Sequence, residues 1–325
     1  MNTDPQNRSS AGIVFILVGM ISISINDMLI KQLSDGYPLH QMVLVRSAIG
    51  IVFSLMMVQI EGGMSILKTR QPVLHIVRGL MVVISNMTFF VALAVIPLAD
   101  ATALFFAAPL FITLLSIPIL GEKVGALRMG AVIVGFIGVV IMQRPWEVGD
   151  DLGVSRIVLL MPLIAALTYA ILQIMTRKLG ATTKASALSV YIQGVFVVVS
   201  ALFWLFAGDG RYAEGVDDAS VQFLLRAWVW PSTDDWWLFI GLGLNSAIIG
   251  YCLAQAYRLS DAATVAPFEY IGLPLAVFWG WLLWSDLPDL PIWIGMALIV
   301  GAGLFVFLRE QQKARQVARA GIKRR

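Results

Sequence analysis

Ten apolar stretches, each about as long as a membrane-spanning helix, take up most of this 325-residue chain, and they constrain its fold more than any other feature. They fall at roughly 11–31, 39–60, 72–95, 98–120, 126–143, 156–176, 185–207, 236–257, 262–285 and 290–308. Crossing the hydrocarbon core of a bilayer takes ~20 mostly apolar residues. That interior offers no water to unpaired backbone groups, so each stretch must be helical, and the alternation of a β-barrel is absent. The composition is 59% hydrophobic and 13% charged, against about 45–50% and about 25% in soluble domains. The net charge of +3 does not imply a nucleic-acid partner, because membrane proteins gather Lys and Arg in cytoplasmic loops. A single cysteine, Cys252, excludes a disulfide framework within the chain. With only His40 and His75 beside it, neither a metal centre nor a cofactor is expected.

Connections between the stretches are short except for 208–235, which carries six acids and two arginines. A polar tail (1–10), a first five-helix unit (11–144), a second (156–309) and a basic tail (310–325) complete the organisation. The first stretch lacks a small-residue cleavage site and reads as a retained helix. With the N-terminus inside, the inner segments and tails hold sixteen Lys and Arg and the outer ones hold five: Lys31, Arg144, Arg156, Arg211 and Arg226. Both termini are therefore expected inside, with 208–235 outside and Trp228, Trp230, Trp236 and Trp237 at the interface.

The chain also repeats itself. LADATALFFAAPL at 98–110 echoes LSDAATVAPFEYIGLP at 259–274; each is followed by an acid, Glu122 or Asp286, and then by a glycine-bearing helix. Lys31 stands opposite Arg177 in a second matching pair of segments. Five helices per unit is an odd number, so the second unit must enter the membrane from the opposite side. That is an inverted-topology repeat, the arrangement of many secondary transporters.

PLADATALFFAAPLFITLLSIPILGEKV followed by GAVIVGFIGVVIM resembles the EamA-type repeat of the drug/metabolite transporter superfamily. The resemblance implies an all-α integral membrane fold of ten transmembrane helices in two inverted EamA repeats. It also implies helices 1–4 and 6–9 around a central cavity, and helices 5 and 10 packed apart from it. VRSAIG, HIVRGLMVVISNMTFF and IPLADATALFFAAPLFI look most like the branch of riboflavin permeases and S-adenosylmethionine carriers.

Charges inside the membrane cost roughly 2.5–3.5 kcal/mol each on insertion scales, so each needs a partner, a wet cavity or a route to the interface. Asp27 and Arg46 lie at similar depth, ~10 Å from the outer ends of their helices at 1.5 Å per residue, and are placed to pair. Arg78 and Glu269 form a second such couple near the inner side. Each arginine either snorkels or binds a carbonyl-bearing or anionic solute bidentately. Asn26, Asn86, Tyr169, Gln173, Tyr191, Gln193, Asn245, Tyr251 and Tyr270 complete the candidate binding set, beside Phe105, Phe106 and Phe268. Singly such polar groups are often interhelical glue; together they suit a flat polar solute. Pro109, Pro267 and Pro274 are candidate hinges. Glu122 and Asp286 read as caps of the next helices. The small-residue pairs Ala131/Gly135 and Ala297/Gly301 read as close-packing points of helices 5 and 10.

The sequence-level expectation is a multi-pass inner-membrane transporter, monomer or homodimer, moving a small organic solute by alternating access. Riboflavin uptake comes first; S-adenosylmethionine, amino acids or drugs, and export, are the alternatives. A lipid-modifying membrane enzyme is remote, because neither histidine has an acid beside it.

Overall fold

The computed structural model describes residues 5–69, 71–121, 124–144, 146, 155–179, 183–259 and 268–322. Among them the long elements are helices: α1 (Pro5–Leu33), α2 (Leu39–Glu61), α3 (Pro72–Leu93), α4 (Leu98–Phe105), α5 (Ala108–Leu120), α6 (Ala126–Gln143), α7 (Arg156–Leu179), α8 (Ala185–Ala207), α9 (Ala219–Leu225), α10 (Trp236–Leu259), α11 (Gly272–Trp279) and α12 (Leu290–Ile322). Among the described residues seven spans are long and apolar enough to cross a membrane, counting α4 and α5 as one; Met129–Gln143, Gly272–Trp284 and Leu290–Phe305 are shorter apolar helices. Large apolar side chains on outward faces, such as Ile60, Val73, Ile157 and Leu205, are exposed, as a lipid-facing surface requires.

α1 packs along α10, α3 along α7, α2 along α8 and α6 along α12. Small residues set these distances. A Cβ added at Gly19 would lie 2.5 Å from Leu253 of α10, and one at Gly243 would lie 2.5 Å from Ile49 of α2. The contact between α6 and α12 runs through Gly138 and Gly295, where a Cβ on either would come within 2.9 Å of the other's carbonyl oxygen. The expected pairs Ala131/Gly135 and Ala297/Gly301 do not make this contact: Gly135 faces Leu110 of α5, and Gly301 has open space beside it.

The fourth apolar stretch is two helices. α4 ends at Phe105, α5 begins at Ala108, and Pro109 sits in the first turn of α5, where its missing N–H costs nothing. Pro109 therefore follows a break rather than kinking a continuous helix. Pro274 likewise sits in the first turn of α11, just after the turn at Tyr270–Ile271. Pro267 lies outside the described residues, as does Glu122. The cap of α12 is not Asp286 but Asp289, whose Oδ1 accepts from the Ile292 N–H at 3.2 Å; Asp289 is also ion-paired with Arg144 at the end of α6. α12 continues to Ile322, so the basic tail is largely helical.

Segment 208–235 is more than an acidic loop. Asp209, Glu214, Asp217, Asp218 and Asp234 are exposed as expected, but the stretch contains α9, capped by Asp218 on the Val221 N–H at 3.0 Å, with Phe223 fully buried. It is strapped to the start of α2. Gln41 donates to the Val229 carbonyl at 2.6 Å and accepts from the Val229 N–H at 3.2 Å, and Tyr37 donates to Asp235 at 2.6 Å. Lys31, counted with the outer Lys and Arg, donates to the Leu93 and Ile96 carbonyls at 2.9 and 2.8 Å, capping the end of α3.

Candidate functional site

Arg46 reaches inward from the second turn of α2 and is 4% exposed. One terminal nitrogen donates to Asn26 Oδ1 of α1 at 3.3 Å, the other to Asn86 Oδ1 of α3 at 3.0 Å. The rings of Phe90 and Phe196 flank the guanidinium, their centroids 5.4 and 5.2 Å away. The Nε–H is buried without an acceptor. Two amide dipoles and two aromatic faces thus hold the cation, and Asp27 acts on it from one amide away rather than in direct contact.

The expected Asp27–Arg46 ion pair is replaced by a relay. Asn26 accepts from Arg46 and donates to Asp27 Oδ1 at 3.2 Å, so an amide stands between the two charges. Asn86 is held in turn by its own helix, donating to the Val82 carbonyl at 3.1 Å.

From Arg46 an aromatic wall leads away through α3 and α4 to α7. Phe90 meets Phe89 edge-on at 5.5 Å, Phe89 meets Phe105 at 5.4 Å, and Phe105 meets Tyr169 at 5.3 Å. Tyr169 hydrogen-bonds Gln173 one turn on, and Glu269 lies close enough to act electrostatically on Tyr169 and Tyr270. The wall therefore runs from Arg46 to Tyr169, beside which Glu269 lies. Such a strip can stack a flat solute and fix its two ends with hydrogen bonds.

Other candidates lie elsewhere. Tyr191 donates to the Leu67 carbonyl at 2.6 Å and packs on His75, locking the N-terminal end of α8. Gln193 donates to Ser246 at 2.8 Å against Gly50, joining α8 to α10 beneath α2. Asn245 turns back to its own helix at Gly241. Tyr251 accepts from Gln255 and packs edge-on to Phe15. Arg78 is buried beside His75. Tyr270 packs at a tilt on Phe106, centroids 5.3 Å apart, with its hydroxyl against Gly303 of α12. Sequence reasoning missed Phe90 and Phe196; Phe90 lies one turn from Asn86 on the same face of α3, a spacing that identifies it.

Residues 10–144 match the EamA-like transporter family. The riboflavin transporter of Vibrio cholerae is 31% identical over 94% of this chain and 93% of its own length. The S-adenosylmethionine uptake transporter of Rickettsia prowazekii is 27% identical over 93% of this chain and 94% of its own. The pseudopaline exporter of Pseudomonas aeruginosa is 27% identical over 90% of this chain and 94% of its own. A solved crystal structure superposes with a TM-score of 0.62 at 19% identity, covering 93% of this chain and 98% of that one, and so shares the fold. With a relative above 30% identity along nearly its whole length, the chain belongs to the EamA-like transporter family.

Proposed function

We propose that this protein is a secondary transporter of the inner membrane that takes up riboflavin by alternating access, through ten spans arranged as two inverted repeats. One observation carries the solute assignment: Arg46 is buried between two phenylalanine faces with an unused Nε–H, at the head of an aromatic wall. A flat heteroaromatic ring bearing carbonyl oxygens satisfies that donor and stacks along the wall, and a polyhydroxy tail suits the amides around it. The solute that names the Vibrio relative has this chemistry.

Helix packing supports the repeat. Exchanging the first five spans for the second five turns the α1–α10 contact into α7–α3, and leaves α2–α8 and α6–α12 as self-pairs; these are the four pairings described above. The N-in orientation follows from the sixteen-to-five distribution of Lys and Arg.

A second reading rests on Glu269. A carboxylate near Tyr169 suits a cationic solute, and a Rickettsia relative carries the name of one. Uptake of radiolabelled riboflavin by a riboflavin auxotroph expressing the chain, with S-adenosylmethionine as competitor, separates the two. Rescue and accumulation unaffected by the competitor support riboflavin; no accumulation despite confirmed membrane insertion refutes it.

A further inference from the structure

We propose that Glu61 is the latch of the gate at its own end of the transport path, a residue that positions α2 against α8 and α10 and so sets how readily the site opens toward that face. The proposal rests on the alternating-access reading, but not on which solute is carried.

Glu61 is the last residue of α2. Its Oε2 accepts from the Ser186 hydroxyl at 2.7 Å and from the Ser186 N–H at 3.4 Å, and its Oε1 accepts from the Gln255 amide at 3.0 Å. That amide also donates to the Tyr251 hydroxyl at 2.9 Å. Lys184 donates to the Glu61 backbone carbonyl. Ser186 opens α8 and Gln255 lies in the last turns of α10, so one carboxylate gathers two helices of the second unit onto a helix of the first.

The contact does a job that α8 leaves undone. Its N-cap position is Lys184, whose side chain makes no capping hydrogen bond. The first N–H groups of a helix have no intrahelical partner, and the positive end of its dipole favours an anion. Glu61 supplies that cap from another helix. Separating α2 from α8 therefore uncaps α8 at the same moment, which gives this end of the path two discrete states. Further in, Ser54 and Ser189 meet at 2.9 Å, and beyond them lies Arg46 with its buried Nε–H. At the opposite end of α2, Gln41 is held by neutral backbone groups of the strap. The two ends are thus closed by different chemistry.

Side-specific labelling tests the proposal. Ser24 is buried on α1, one turn from Asp27, and its hydroxyl makes no hydrogen bond, so Ser24→Cys in a Cys252→Ala background reports access without removing a contact. A membrane-impermeant maleimide is applied to vesicles of either orientation. Hydrogen bonds to a charged group shift a two-state equilibrium about tenfold or more when lost. Glu61→Ala is therefore expected to raise labelling from the Glu61 face about tenfold and to slow it from the other face. Glu61→Gln keeps one acceptor oxygen and falls between; Ser186→Ala and Gln255→Ala, which leave Glu61 intact, shift the ratio in the same direction. Labelling unchanged from both faces in these variants, with or without a lower unfolding temperature, overturns the proposal. If riboflavin uptake is absent from the parent while the labelling ratio still shifts, the latch stands and only the solute assignment falls.

Discussion

The amide cage of Arg46 makes a prediction that separates stability from transport. Replacing Asn86 by Ala removes the acceptor at 3.0 Å and leaves the guanidinium with Asn26 at 3.3 Å and two ring faces. A neutral interhelical hydrogen bond in a membrane averages only about 0.6 kcal/mol. Here the donor is a buried cation, so the larger range of roughly 1.5–3 kcal/mol applies. Asn86→Asp, nearly isosteric, has the opposite sign for stability: it sets a carboxylate where the amide oxygen was and pairs the charge. If Arg46 serves only to hold α1, α2 and α3 together, that variant transports at least as well as the parent. If the cation must reach the solute, neutralising it depresses kcat/KM by tenfold or more while the protein resists unfolding. Arg46→Met extends the argument: it leaves the Asn26 and Asn86 oxygens without their donor, so it is expected to lower stability as well as abolish transport, which makes Asn86→Asp the discriminating variant. The assays are denaturant unfolding in mixed micelles and solute uptake in proteoliposomes. Full transport by Asn86→Asp refutes the assignment of Arg46 to the solute.

Gly303→Ala places a methyl 1.6 Å from the Tyr270 hydroxyl and 2.7 Å from Cζ, so Tyr270 must move; overpacking of this kind costs about 1–3 kcal/mol, read as a lower unfolding temperature that Tyr270→Ala relieves. Gly295→Val forces α6 and α12 apart, because even a Cβ meets Met142 Cγ at 2.2 Å; the expected result is loss of folded protein by size-exclusion chromatography, whereas Gly301→Val, with open space beside it, is tolerated. Hydrogen bonds from Tyr37 and Ser232 hold the Asp235 carboxyl below its usual range. Their contribution is complete above the unfolded value of about 3.9 and fades only as pH falls through the depressed folded value. Backbone amide exchange in 228–235 is therefore expected to stay slow at pH 5, and to quicken in Asp235→Ala at every pH above 4.

Lipid as solvent made most of the fold legible. The apolar runs at 39–60 and 185–207 end where Gly, Glu or Lys appear, and the helices found are Leu39–Glu61 and Ala185–Ala207. The break after Phe105 was not legible because Phe106 and Ala107 are as apolar as their neighbours; only Pro109 marked it. The final helix overran its apolar window because Arg, Gln, Lys and Ala, once past the membrane, are strong helix formers. The polar site was half legible. Asn26, Arg46 and Asn86 stood out as polar groups in apolar runs, and they do converge. Tyr191, Gln193 and Asn245 stood out equally and do not, because a helix apolar on every side gives no phase from which to read where a single polar residue points.

The turns that precede Pro109 and Pro274 also bear on the register of the proposed repeat. Asp100 precedes Pro109 by nine residues and Asp261 precedes Pro274 by thirteen, while the spacings from proline to the next acid, Pro109 to Glu122 and Pro274 to Asp286, are thirteen and twelve. The extra length therefore lies before Pro274, and aligning the prolines sets Phe105 against Tyr270. These equivalent residues have different surroundings. Phe105 lies in the wall between Phe89 and Tyr169, whereas Tyr270 turns to Phe106 and to the space left by Gly303. In the proposed transporter related halves rock about their centre, and the difference between Phe105 and Tyr270 is what would give a solute at the proposed site a single orientation along the wall that starts at Arg46. On the proposed reading orientation is set by the residues in which the halves differ, and Gly303, which leaves the space that the Tyr270 hydroxyl occupies, is one of them.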